Sequence, residues 1–281
     1  MTILQKINFF FSVYLAGLKS FKKPVLYLPF LVYGIVQLLL LLVLVNFYSP
    51  LFSFALVPLV KKFMGDYILH YPAYFIFLPK IFSRASLFLG GIFGIITVGW
   101  AIYLFFCYFL ADRKIEIING LKLTFSKYIL LLGIWVLETI VLLGWFFFVS
   151  RVIGKGFLEG NLKKEIAFEI FSLGTGAVFY GFFAYSIPAI ILSGKNIISS
   201  LVLSIMIFRR NFFSTYFFVF LPNLLTFPFS FLYRRAPLLL SKFNPEIVSL
   251  ILVLQIGITM VANYILISVI TRFYLYDQGL D

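Results

Sequence analysis

"SIPAIILSGKNIISSLVLSIMIFRRNFFSTYFF", residues 186–218, passes from one apolar stretch into another with no ordinary polar loop between them. The joining piece, 195–211, is too polar to span a bilayer and too apolar for a solvated linker. Its apolar residues Ile197, Leu201, Ile205 and Phe208 recur at steps of three and four, opposite Asn196, Ser200, Ser204 and Asn211. That is the helical period, and it predicts an amphipathic helix lying in the membrane interface.

The same pattern occurs twice more. Ile7, Phe10, Tyr14, Leu18 and Phe21 oppose Gln5, Asn8, Ser12 and Lys19; Ile115, Ile118, Leu121 and Phe125 oppose Asp112, Glu116, Asn119, Lys122 and Ser126. Each stripe precedes a long apolar run. Spans are expected at about Pro24–Phe47, Ser86–Leu110, Tyr128–Ser150, Ile166–Ser193, Phe212–Tyr233 and Pro245–Tyr276, since about 20 apolar residues cross a hydrocarbon core. The chain of 281 residues is 63% hydrophobic and only 12% charged, where a soluble domain carries about a quarter charged residues. The fold class is therefore an all-α integral membrane protein with six transmembrane helices and a single polytopic domain over 1–281. Continuous apolar runs exclude a β-barrel, whose strands alternate over about ten residues.

"GLKSF" at 17–21, "GLKLTF" at 120–125 and "SLVLSI" at 200–205 occupy similar places in the three amphipathic stripes. The chain thus reads as three repeats, each an interfacial helix plus a two-span hairpin, at about 1–111, 112–194 and 195–281. The first is longer because of 48–85. There "LFSFALVPLV" and "YPAYFIFLP" are too short to span and too apolar to be wet, and Pro58, Pro72 and Pro79 interrupt them. An interfacial cap or a docking surface is favoured over a re-entrant pair.

The net charge of +13 points to anionic lipid headgroups rather than nucleic acid in a chain this apolar. Lys19, Lys22, Lys23, Lys114, Lys122, Lys195, Arg209 and Arg210 lie in or beside the amphipathic stripes, as candidates for holding headgroups or a protein partner. The 23 Lys and Arg divide twelve to eleven between the two sides, so charge does not orient the chain. Both termini are placed in the cytoplasm because the first basic segment often dominates. The N-terminal stretch lacks the small-residue cleavage site of a signal peptide.

Glu138, in "WVLETIVLLGW", is the ionisable residue nearest the middle of a span. An acid at that depth is costly and marks a site by default. Gln255 and Asn263, eight residues apart in the last span, are its expected partners. A neutral acid joining helices is favoured over a proton or cation relay, because one acid makes a poor pathway. Glu165 and Glu169 suit a helix N-terminus. His70, the single histidine, and Cys107, the single cysteine, leave no metal set, disulfide or catalytic triad, so no catalytic residue, metal or cofactor is expected. "GKNIISS" lacks the earlier glycine of a phosphate-binding loop, and an ATP-driven role needs a separate ATPase.

Pro188, Gly194-Lys195, Ser200–Ser204 and Arg209-Arg210-Asn211-Phe212, with "TRFYLYDQ" at 271–278, resemble a recurring segment of uncharacterised bacterial six-span proteins. These are similar to the membrane domain attached to some glycerophosphodiester phosphodiesterases. The resemblance implies a bacterial inner-membrane location. It transfers no phosphodiesterase activity, because the catalytic domain with its histidine and metal-binding acids is absent. Two function classes follow. One is a non-enzymatic scaffold or accessory subunit contacting lipids and partner membrane proteins; the alternative is a permease, or permease subunit, for a lipidic or small substrate.

Overall fold

In a computed structural model the chain is all-helical over the residues described, 3–110, 115–152 and 162–280. Six helical runs are long and apolar enough to cross a membrane: Pro24–Val45, Ala73–Phe109, Tyr128–Val152, Leu162–Ser193, Phe212–Leu232 and Ile247–Asp277. Their lengths alternate, with 22, 25 and 21 residues in the first, third and fifth, and 37, 32 and 31 in the second, fourth and sixth.

The elements explain that alternation. Helix α1 (Ile3–Lys19) leads through short 3-10 turns into α2 (Leu28–Val45). The connection to the second span holds α3 (Pro50–Met64); the span itself starts with α4 (Ala73–Leu89), and α5 (Ile95–Phe109) continues from α4 through a wider π turn at Gly90–Gly94. Then come α6 (Ile117–Ser126), α7 (Tyr128–Val152), α8 (Leu162–Phe183), α9 (Ser186–Ser193), α10 (Ile197–Arg210), α11 (Phe212–Arg234), α12 (Ala236–Leu240) and α13 (Ile247–Asp277). The short helices α1, α6 and α10 each lie along the final turns of a long span.

Helix α1 runs antiparallel to α13. Phe9 meets the Tyr276 ring at 4.1 Å between centroids, Gly17 faces Ser268 and Val269, and Ser20 Oγ is 2.9 Å from the Tyr264 hydroxyl. Helix α6 lies on α5, where Trp100 Nε1 donates to the Ile117 carbonyl at 3.0 Å and Gly120 fits against Trp100 and Tyr103. Helix α10 lies on α8 and α9, with Phe208 on Gly181 and the buried Ser204 Oγ accepting from the Tyr185 N–H at 3.0 Å.

The amphipathic stripes do not specify which side of these helices meets protein; the small and hydroxylated residues do. Gly17 and Ser20, Gly120 and Thr124, Ser200 and Ser204 are buried, whereas Leu18, Ile118, Phe125 and Ile205 are exposed. In lipid an apolar stripe gains nothing by turning toward protein, and small residues permit close helix approach. The hydroxyls bond locally or across helices; Thr124 Oγ1, for example, donates to the Gly120 carbonyl at 2.8 Å.

The opening stretch also acquires a physical account. Gly194, at φ 63°, ends α9 in a left-handed cap, and the Lys195 N–H reaches back to the Ala189 carbonyl at 3.2 Å. Asn196 then caps α10 by accepting from the Ser199 N–H at 2.9 Å. Stop and start lie two residues apart, so the chain reverses tightly and α10 doubles back on the span it has just left.

The second span begins at Ala73, not at Ser86 as the sequence pattern suggests. Pro58 and Pro79 lie inside helices, and Pro72 alone precedes one. The Tyr74 hydroxyl donates to the Leu44 carbonyl at 2.6 Å, which ties the start of this span to the end of the first. Thirty-seven helical residues rise about 55 Å, far more than a hydrocarbon core of about 30 Å, a length that a bilayer accommodates by tilt or by projection beyond the core. Helices α3 and α4 build an apolar cluster with the far ends of α2 and α13, through Val60, Tyr74, Leu78 and Phe82 against Leu41, Leu44, Val248 and Leu252. The opposite side of α3 leaves Leu51 and Phe54 exposed.

Candidate functional site

Helices α7, α8 and α11 enclose a cleft of about 390 Å³. Its apolar wall includes Leu142, Phe146, Leu173 and Phe227, and its polar side chains are Ser150, Glu169, Ser172, Tyr180, Asn223, Thr226 and Ser230. Helix α11 carries Pro222 and Pro228 beside the cleft. Asn223 Nδ2 donates to the Val219 carbonyl at 2.9 Å and Thr226 Oγ1 to the Asn223 carbonyl at 2.8 Å. These bonds satisfy the two side-chain donors on their own helix; the carbonyls that Pro222 and Pro228 leave without an N–H are those of Phe218 and Leu224. Gly176 lets Phe146 approach, its ring 3.0 Å from where a Cβ would stand. One turn from Glu169, Glu165 pairs with Arg235, which stacks over Phe231 at 4.6 Å. Glu165 therefore does more than favour a helix N-terminus; it ties α8 to the segment after α11.

Glu138 stands on α7 beside this cleft, within electrostatic reach of Tyr180. Gln255 is elsewhere. It lines a second cavity, of about 150 Å³, between α2, α4 and α13 with Gln37 and Ser86. Asn263 is half-buried on α13, and no hydrogen bond from either residue to Glu138 occurs among those described. Glu138 and Gln255 thus belong to separate places. Helical spacing along α13 could pair Gln255 with Asn263 but could not say which neighbour each would meet.

A carboxyl near a helix centre without a bonded partner costs about 2.5–3.5 kcal/mol relative to an apolar side chain. Glu138→Leu should therefore keep or raise the melting temperature in detergent. A fall of several degrees would show that Glu138 holds helices together.

The basic candidates have distinct environments. Lys19, Lys22, Lys23, Lys122 and Arg209 are exposed, and Lys195 is half-exposed. Arg210 pairs with Asp277, which leaves Arg209 as the freer cation at the end of α10. Lys114 lies outside the described residues. Arg210 and Asp277 border a pocket of about 510 Å³ with Phe9, Phe213 and Tyr276. Nearby, Tyr14 donates to the Phe217 carbonyl at 3.1 Å, and burial pushes its phenol well above the ordinary value, so it stays a donor. His70 is exposed, and no cluster of metal-ligating side chains occurs among the described residues.

No family model, curated protein or solved structure matches the chain, and none links it to the membrane domain of glycerophosphodiester phosphodiesterases.

Proposed function

We propose that the protein is a non-enzymatic component of the bacterial inner membrane that binds lipids and contacts partner membrane proteins, with both termini cytoplasmic. The cleft between α7, α8 and α11 carries the reading, because it sets an acid, an amide and several hydroxyls against aromatic and aliphatic walls within membrane-spanning helices. That combination suits an amphipathic molecule entering sideways from the bilayer. Exposed Lys19, Lys22, Lys23, Lys122 and Arg209 suit anionic headgroups. The kinship suggested by residues 186–212 and 271–278 is part of this proposal, as is a three-unit architecture in which each short helix begins a repeat. The recurring seat of α1, α6 and α10, each on the final turns of a long span, supports that architecture.

The second reading, a permease or permease subunit for a lipidic substrate, is favoured by the break in the fourth span at 184–185 and by the two prolines of α11. Both lie next to the cleft and give its walls places to bend.

The test uses the full chain in liposomes containing a photoactivatable phospholipid. Crosslinks should concentrate on Ser172, Tyr180 and Thr226, and Asn223→Leu should lower their yield about fivefold, the equivalent of one hydrogen bond of about 1 kcal/mol. Crosslinks spread evenly around the bundle, unchanged by Asn223→Leu, would remove the cleft as a lipid site. Movement of the lipid between leaflets, lost in the same variant, would favour the permease.

A further inference from the structure

We propose that the cavity between α2, α4 and α13 is a second binding site, for a phosphate group that carries a short polyol. The cavity of about 150 Å³ is lined by Gln37, Ser83, Ser86, Gln255 and Thr259 together with four apolar residues. Ser86 Oγ and Gln255 Oε1 are buried without a hydrogen-bond partner. Gln37, at 8% exposure, has Tyr33 as its neighbour. Buried polar atoms left unpaired cost about 1–3 kcal/mol each, so this cavity is built to receive polar matter. At about 30 Å³ per molecule its volume corresponds to about five waters, or to a short chain bearing hydroxyls.

The cavity has a basic mouth. Pro79 and Ser83 also line a neighbouring pocket of about 490 Å³, which adds Lys80, Arg84 and, from α12, Pro237. Lys80 and Arg84 are one helical turn apart and exposed, and neither meets an acid among the described residues. Two cations at that spacing converge on one multi-oxygen anion. The interior has no charge, so the anion belongs at the mouth and a neutral group inside. A bare phosphate dianion has no proton for Gln255 Oε1, whereas a hydroxylated headgroup supplies donors to the amide oxygen and acceptors to the serines.

The same chemistry occurs in the headgroup of phosphatidylglycerol and in free glycerol phosphate, and the experiment separates them. The purified, delipidated chain is offered phosphatidylglycerol, phosphatidic acid and phosphatidylcholine, and retained lipid is counted by native mass spectrometry. Wild type should retain one phosphatidylglycerol about tenfold better than phosphatidylcholine and about fivefold better than phosphatidic acid, which has the phosphate without the polyol. Lys80→Gln with Arg84→Gln should abolish the preference for both anionic lipids. Gln255→Leu should erase only the excess for phosphatidylglycerol over phosphatidic acid, and the milder Ser86→Ala should reduce it if the leucine variant does not fold. Displacement of the lipid by excess glycerol phosphate assigns the site to the soluble molecule; retention assigns it to the lipid. Equal retention of the three lipids by wild type, or a full preference in the Gln255→Leu and Ser86→Ala chains, would overturn the proposal. Asn223→Leu leaves this preference unchanged, so the outcome is independent of the α7–α8–α11 cleft.

Discussion

Gly181→Leu is expected to lower the stability of the folded chain by about 1–3 kcal/mol, read as a fall in melting temperature in detergent. A Cβ at that position would stand 2.5 Å from Phe208 Cε2 and 2.9 Å from Cδ2. Phe208 cannot swing clear, because it is 2% exposed and its ring meets Phe182 at 4.9 Å and Phe212 at 5.2 Å between centroids. The variant therefore pushes α10 away from α8. Gly144→Leu is the control, since nothing lies within 4 Å of a Cβ there. Equal melting temperatures for the two variants would show that the α8–α10 contact does not matter to stability.

Ser204→Ala should cost a similar amount for a different reason. Pro188 has no N–H, and its ring crowds the carbonyl four residues earlier, so the fourth span breaks at 184–185. The Tyr185 N–H then turns to Ser204 Oγ, and both residues are fully buried. Removing the hydroxyl leaves that N–H without a partner, at about 1–3 kcal/mol. Ser12→Ala deletes an exposed hydroxyl that donates to the Phe9 carbonyl and should be nearly silent. Hydrogen exchange at Tyr185 gives the local readout. Unchanged protection in Ser204→Ala would mean that another acceptor replaces the serine.

Much of this architecture is legible in the sequence. Six apolar runs predict six spans because hydrocarbon admits few alternatives to a helix, and the three amphipathic stripes coincide with α1, α6 and α10. What the stripes do not reveal is the side that meets protein. In water the apolar side of a helix must turn inward; in lipid Ile118 and Phe125 are content outside, and Gly120 and Thr124 take the contact. The start of the second span was hidden by Pro79, which reads as a breaker in isolation yet is accommodated inside α4.

Among site residues, Glu138 was legible as an acid at depth. Tyr180, Asn223 and Thr226 carry no local signal, since each is one polar side chain in an apolar run and becomes a site only where three helices meet. Gln255 was visible as a polar residue, but its companions Gln37 and Ser86 come from helices far away in sequence.

The seat of α1 bears on the order in which the chain is made. Helices α6 and α10 rest on spans that leave the ribosome before them, so each can dock as soon as it emerges. Helix α1 is the exception, because Phe9, Gly17 and Ser20 face Tyr276, Ser268 and Tyr264 of α13, more than two hundred residues downstream. Throughout translation it must wait beside the translocon with Phe11 and Leu15 toward lipid and its small-residue edge uncovered. Insertion of the last span is then the event that seats α1, and a chain stalled before α13 would leave Gly17 and Ser20 uncovered.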